Sequence, residues 1–224
     1  MTNVINVQPW LKFTATTIGR DQVYRTVQYF SRFLAWYVTR QGLSRETVAR
    51  FNRLKKTLGL SRKLMRIGKP IEHLESAVAA RSLKNELLLF CTVGKQLSYA
   101  GYLTYDALIF LDGAGAYKFK NIERYNELAN KFWLSGIVFS LFTGLYKTRQ
   151  ILIRREAAAR DEKSYAQTEL KTLTKQLLQD TLDALIPSSS LGYVDLDDGI
   201  VGLIGTSIMG AQTQWAKVNT VGKA

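Results

Sequence analysis

The chain is 224 residues long, carries a formal net charge of +13, is 46% apolar and 11% aromatic, and has one cysteine and one histidine. These totals allow a sizeable core and a surface that attracts phosphates; they exclude an internal disulfide framework and any metal site built on a histidine pair. The charge is uneven, since residues 1–85 hold 16 Lys/Arg against 4 Asp/Glu while residues 157–224 hold 6 against 8.

No stretch alternates apolar and polar residues for long, so an all-α protein is expected, and the basic and apolar segments taken up below make it a membrane-associated one. The opening MTNVINVQPW lacks a basic segment followed by an apolar one, and the closing VGKA matches no C-terminal address, so any organelle signal is expected inside the chain. From Asp21, the expected N-cap, Val23, Val27, Phe30, Leu34 and Tyr37 follow helical spacing, and Gly42 is the expected stop. All three prolines (Pro9, Pro70 and Pro187) are expected at helix starts or breaks.

Residues 45–69 hold nine Lys/Arg against one acid. On a helical wheel Phe51, Leu54, Leu58 and Met65 share one sector, with Arg45, Lys55, Lys56, Lys63 and Arg66 to one side. An apolar stripe flanked by cations suits a helix lying in an anionic lipid surface. Leu60, Leu64 and Ile67 leave that sector and continue into Ile71, Leu74 and Val78. Two amphipathic stretches are therefore expected to meet near Gly59, with a new helix starting at Pro70.

Residues 87–111 are strongly apolar but interrupted by Lys95 and Asp106, which suits a buried helix or a membrane segment with costly polar positions. Residues 132–146 are uncharged between Lys131 and Lys147. They fall short of the ~20 residues usually needed to span a bilayer, so a shallow, re-entrant or tilted segment is expected. Residues 150–186 read as a charged amphipathic helix with Leu170, Leu173 and Leu177 on one face. A linker from Pro187 to Asp198 then leads to a Gly-rich apolar run, 199–211, expected to be a second short membrane segment.

Chemistry is thinly represented. His73 is the only histidine, and beside Glu72 and Glu75 it reads as a helix-surface residue. No phosphate loop, dinucleotide fingerprint or CxxC pair occurs. Asp195, Asp197 and Asp198 lack the length and closing Glu of a calcium loop, so a solvated turn is expected. Cys91, in LLLFC, reads as a buried thiol. No enzyme and no cofactor are read from the chain. Nucleic acid is disfavoured as a partner, because the cations share their segment with an apolar stripe and no stacking platform.

Two blocks resemble the peroxisomal biogenesis factor 11 family in its fungal branch. The first is WLKFTATTIGRDQVYRTVQYFSRFLAWY, with Lys12, Phe13, Gly19, Arg20 and Asp21, then Arg25, Gln28, Tyr29, Arg32, Phe33 and Leu34. The second is SRKLMRIGKPIEHLESA, with Arg62, Lys63, Arg66, Lys69, Pro70, His73 and Leu74. YAGYLTYDALIFL, centred on Asp106, and the Gly-rich run ending near Trp215 follow in the family's order, so one domain over 1–224 is expected. The resemblance implies a peroxisomal membrane protein that elongates the membrane before fission, self-associates, and works with a dynamin-like GTPase and its tail-anchored adaptor.

The mechanism expected is a wedge, with residues 42–75 as the lipid-binding region. Phe51, Leu54, Leu58, Leu64 and Met65 would insert into one leaflet of an anionic phospholipid membrane. Arg50, Arg53, Lys55, Lys56, Arg62, Lys63 and Arg66 would contact headgroups. Burying four such apolar side chains contributes about 6–10 kcal/mol gross. The rival reading is a metabolite pore whose apolar segments oligomerise around Lys95 and Asp106; a soluble helical scaffold is the third.

Overall fold

The computed structural model describes residues 7–157, 160–207 and 209–220, and every described element is helical. The chain divides into two compact units, residues 1–65 with 197–224, and residues 66–196. In the first unit the helices are α1 (Gln8–Ala15), α2 (Thr17–Arg40), α3 (Arg45–Met65), α8 (Asp198–Gly205) and α9 (Met209–Thr220). In the second they are α4 (Lys69–Ala79), a 3-10 turn (Ala80–Ser82), α5 (Glu86–Gly113), α6 (Ile122–Ala157) and α7 (Arg160–Ser190).

The first unit is organised by α2, which packs against α3 and α8. Pro9 lies in the first turn of α1, where its missing N–H costs nothing. The α2 helix begins four residues before the expected cap: Thr16 takes the N-cap and its Oγ1 accepts the Gly19 N–H at 2.9 Å. Asp21 therefore sits inside the helix. At the other end Gly42 adopts φ 67° just past the cap, as expected, because an L side chain disfavours that conformation. The α3 helix then runs unbroken through Gly59, whose open face meets the Gln28 side chain. The helix ends at Met65, and turn residues 66–68 follow it.

The run 199–211 does not lie within one described helix. Asp197 caps α8 by accepting the Ile200 N–H at 2.9 Å, and the helix ends after eight residues at Gly205, about 12 Å of rise. Its glycines at 199, 202 and 205 abut Trp36, Phe33 and Tyr29 of α2, and Val201 is buried. A Cβ on Gly202 would lie 2.7 Å from the Phe33 backbone nitrogen, a position that no rotamer change relieves. The small residues thus serve close contact with a neighbouring helix of the protein. The ring of Trp215, on α9, lies 5.5 Å from that of Phe13.

In the second unit α4, α5, α6 and α7 pack in sequential antiparallel pairs. Pro70 stands in the first turn of α4, and Asn85 caps α5 by accepting the Leu88 N–H at 2.9 Å. Gly94 and Gly101 admit the rings of Phe139 and Phe132, while Gly144 admits Leu177. Tyr102 stacks on Trp133 at 5.4 Å. Small residues under large ones bring helices close without relying on a hydrophobic drive from water.

The uncharged run 132–146 is the middle of α6, a single 36-residue helix, rather than a shallow or re-entrant piece. Among the described residues one helix, Ile122–Glu156, is long and apolar enough to cross a membrane. Its flanking lysines lie within the helix, where long side chains can reach an interface. Pro187 does not break α7, which continues to Ser190; the ring is fully buried and its missing N–H falls near the helix end.

Candidate functional site

The basic helix α3 packs against α2 through the sector marked by Gly59 and Arg62. Phe51, Leu58 and Met65 lie at the margin of that sector and are half-buried. Of the five residues expected to insert in lipid, only Leu54 (42%) and Leu64 (53%) are exposed as α3 is folded here. The apolar stripe is shared: one edge packs the hairpin and the other faces outward.

The cations divide in the same way. Arg50, Arg53 and Lys56 are exposed and Lys63 is half-buried, while Arg50 also pairs with Glu46 one turn away. Lys55 lies 4.0 Å from Asp198. Arg62 is 8% exposed: its Nε donates to Asp21 Oδ1 at 2.9 Å and its Nη1 to Gln28 Oε1 at 2.9 Å. In the second unit Arg66 pairs with Asp106 at 2.8 Å and donates to the Tyr102 hydroxyl at 3.1 Å. Arg62 and Arg66 are therefore held inside the fold, because buried carboxylates need a cation, and do not stand on an outer face.

The second unit buries a set of polar side chains in its core and leaves large apolar ones outside. Ser98, Asp106, Ser140 and Asp180 are buried. Lys95 Nζ donates to Ser140 Oγ at 2.8 Å, and Ser140 Oγ donates to Asp180 Oδ2 at 2.7 Å. This relay ties α5, α6 and α7 together. Outside, Val138, Phe142, Leu145 and Leu152 of α6 are exposed at helical spacing, as are Leu87, Phe90 and Leu97 of α5. Only 28% of the apolar stretch of α6 is buried, whereas the core helix of a water-soluble protein is mostly covered. Paired charges inside and bare apolar stripes outside suit a bilayer.

Other expected residues are placed differently. His73 is half-buried: its Nδ1 lies 2.6 Å from Gln96 Oε1 and its ring stacks on Tyr99. Cys91 is buried. Of the residues expected as a solvated turn, Asp197 caps α8 by accepting the Ile200 N–H, and Asp198 Oδ1 accepts from Arg32 Nε at 2.9 Å. Their role was readable only in the alignment of Asp197 with the start of the Gly-rich run. Between α5 and α6, Asp112 Oδ1 accepts the Phe119 N–H at 3.0 Å. That bond, aided by Lys118, holds the Asp112 carboxyl below its ordinary range. Among the described residues no group of three or more His, Cys, Asp or Glu is placed to hold a metal ion.

The model of one family, Peroxisomal biogenesis factor 11 (PEX11), matches residues 7–215, across both units. The chain belongs to the peroxisomal biogenesis factor 11 family. Among relatives of this member, peroxisomal membrane protein PMP30A of Candida boidinii is 28% identical, with 92% of each chain covered. Peroxisomal membrane protein PMP27 of Saccharomyces cerevisiae is 28% identical over 94% of each chain. Peroxisomal biogenesis factor 11 of Schizosaccharomyces pombe is 24% identical over 88% of this chain and 90% of its own. No solved structure matches. This peroxisomal biogenesis factor 11 protein is thus a peroxisomal membrane protein with a role in peroxisome proliferation.

Proposed function

We propose that the protein elongates the peroxisomal membrane by pressing α3 into one leaflet, acting without catalysis and in several copies. The observation that carries this reading is the outward face of α3, where Arg50 and Arg53 flank exposed Leu54, with exposed Lys56 further round the helix. Each such cation adds about 1 kcal/mol of attraction to an anionic surface. Burying Leu54 and Leu64 adds about 3–6 kcal/mol gross. A helix of 21 residues is about 32 Å long, and at headgroup depth it expands one leaflet and favours curvature. Phe51, Leu58 and Met65 join the wedge when α3 swings from α2. The apolar stripes of α5 and α6 hold the second unit in the bilayer. Fission proteins, a dynamin-like GTPase and its tail-anchored adaptor, act on the narrowed membrane.

The pore reading is weaker in this fold. Lys95 is bound to Ser140, and Asp106 to Arg66, inside one unit, so neither presents its charge to a shared lumen.

The test is flotation and electron microscopy of the full chain with vesicles of graded anionic content. Wild type is expected to bind more as anionic lipid increases, and to draw tubules. Arg53→Glu with Lys56→Glu is expected to abolish the charge dependence while helical content stays unchanged. Tubulation by that variant equal to wild type would remove α3 from the mechanism.

A further inference from the structure

Near the end of the α6 apolar run, three helices of the second unit enclose a cleft of about 340 Å³. Asn85, the cap of α5, with Leu88 of α5, Tyr146, Lys147, Ile151 and Arg154 of α6, and Glu169 of α7 are among its walls. Ile151 is 1% exposed and makes an apolar floor. The Tyr146 hydroxyl oxygen accepts two amide protons, from Asn85 Nδ2 at 2.7 Å and Gln150 Nε2 at 2.9 Å. With both acceptor positions used, its own proton remains to be donated, and it has no acceptor among the described residues. Lys147 and Arg154 bring two cations to the same cleft. Arg154 meets Glu169 at only 3.7 Å and keeps a largely exposed guanidinium.

We propose that this cleft binds the phosphate of an anionic phospholipid headgroup. The donors are of one kind, a hydroxyl proton, an ammonium and a guanidinium, and this combination suits a tetrahedral oxyanion. Depth selects the source. Residues 132–146 carry no charge, and the α6 wall of the cleft begins directly after them at Tyr146 and Lys147, residue types that anchor a helix at the headgroup layer. Basic clefts between membrane helices at that level hold lipid phosphates. Leu88 and Ile151 supply apolar surface where the glycerol and first acyl carbons would lie. Glu169 is the competing anion, so Arg154 changes partner as the phosphate enters. The site rests on α6 lying in the bilayer and is independent of α3.

The test uses the full chain in neutral detergent with dihexanoyl phosphatidic acid as the probe, binding being read by native mass spectrometry and titration. Inorganic phosphate and dihexanoyl phosphatidylcholine are the comparison ligands. Lys147→Gln with Arg154→Gln is expected to weaken phosphatidic acid about tenfold or more, and Tyr146→Phe about threefold to tenfold. Glu169→Gln is expected to tighten it, an effect that damage to the fold would not produce. Affinities within twofold of wild type in all three, with helical content kept, would overturn the site. Inorganic phosphate binding as tightly as phosphatidic acid would overturn the lipid assignment. Micelles impose no curvature requirement, so Arg53→Glu is expected to bind the probe normally even if the α3 wedge fails.

Discussion

Arg62 and Asp21 lie 41 residues apart in sequence and bond at 2.9 Å between α3 and α2, with side chains only 10% and 17% exposed. Their pairing directs the inner sector of α3 toward α2 and leaves Arg53 and Lys56 to the outside. Sequence marks Arg62 as a cation of a basic run; the fold makes it the fastening of that run. Removing the carboxylate with Asp21→Ala is expected to cost about 3–5 kcal/mol, as when a buried pair loses one member. The variant is expected to unfold at lower temperature and to bind anionic vesicles more strongly, because Phe51, Leu58 and Met65 are released. Differential scanning calorimetry and flotation check the two effects; lower stability with unchanged flotation would show that α3 need not leave α2.

Leu54 and Leu58 separate the two duties of α3. They share a sector on the wheel, yet Leu54 is exposed and Leu58 is half-buried. Leu54→Glu is expected to reduce vesicle binding with a change of less than about 0.5 kcal/mol in stability, the usual result at an exposed site. Leu58→Ala is expected to cost stability of about 1–3 kcal/mol, with a smaller effect on charge-driven binding. Measuring denaturation and flotation on both variants checks the division.

Asp106 pairs with Arg66 at 2.8 Å, with its side chain almost fully buried. Asp106→Ala strands the guanidinium against Tyr102 and is expected to cost about 3–5 kcal/mol. Replacing both members, Arg66→Met with Asp106→Leu, is expected to restore much of that loss, because an apolar pair needs no charge compensation. Thermal unfolding of the single and double variants checks this. A pore-lining Asp106 would instead give a stable single variant that loses only conductance.

Much of the helical plan was legible because its signals are local. Pro9, Gly42 and Pro70 each act on one turn of backbone, and each lies where its chemistry requires. The apolar spacing of α2 and α3 likewise needed no tertiary knowledge. What escaped the sequence depends on distant partners. Gly59 reads as a bend until Gln28 fills its open face. Pro187 reads as a break until burial of its ring compensates for one lost hydrogen bond. The run 199–211 reads as a membrane segment until Trp36, Phe33 and Tyr29 are seen against its glycines. Composition gives the number of cations in 45–69, but Asp21 and Asp106 decide which of them are held inside.

The close approach of α8 to α2 gives a sharp prediction at Gly202. A Cβ there would stand 2.7 Å from the Phe33 nitrogen, and main chain can move only if the helices separate. Gly202→Ala is expected to cost about 1–3 kcal/mol, the usual range for overpacking, and to expose α8 to proteolysis. Ala substitution at Gly68, which meets nothing within 4 Å, is the control and is expected to leave the cleavage rate unchanged. Limited proteolysis with calorimetry checks both.

Asp112 makes the turn between α5 and α6 sensitive to acid. Its carboxylate accepts the Phe119 N–H, and Lys118 lies 3.3 Å away, so its affinity for protons falls on folding. A carboxyl whose pKa is lower folded than unfolded stabilises the fold above the unfolded value, and that contribution is lost as pH falls through the folded value. The turn is expected to hold at neutral pH and to loosen progressively below about pH 4, the ordinary carboxylate range. Hydrogen exchange at the Phe119 amide, followed from pH 7 downward after correction for intrinsic rate, checks this. Asp112→Asn keeps an oxygen acceptor but cannot titrate, so its Phe119 protection is expected to be weaker at neutral pH and flat through the acid range. A wild-type profile as flat as that of the variant would place the acid sensitivity elsewhere.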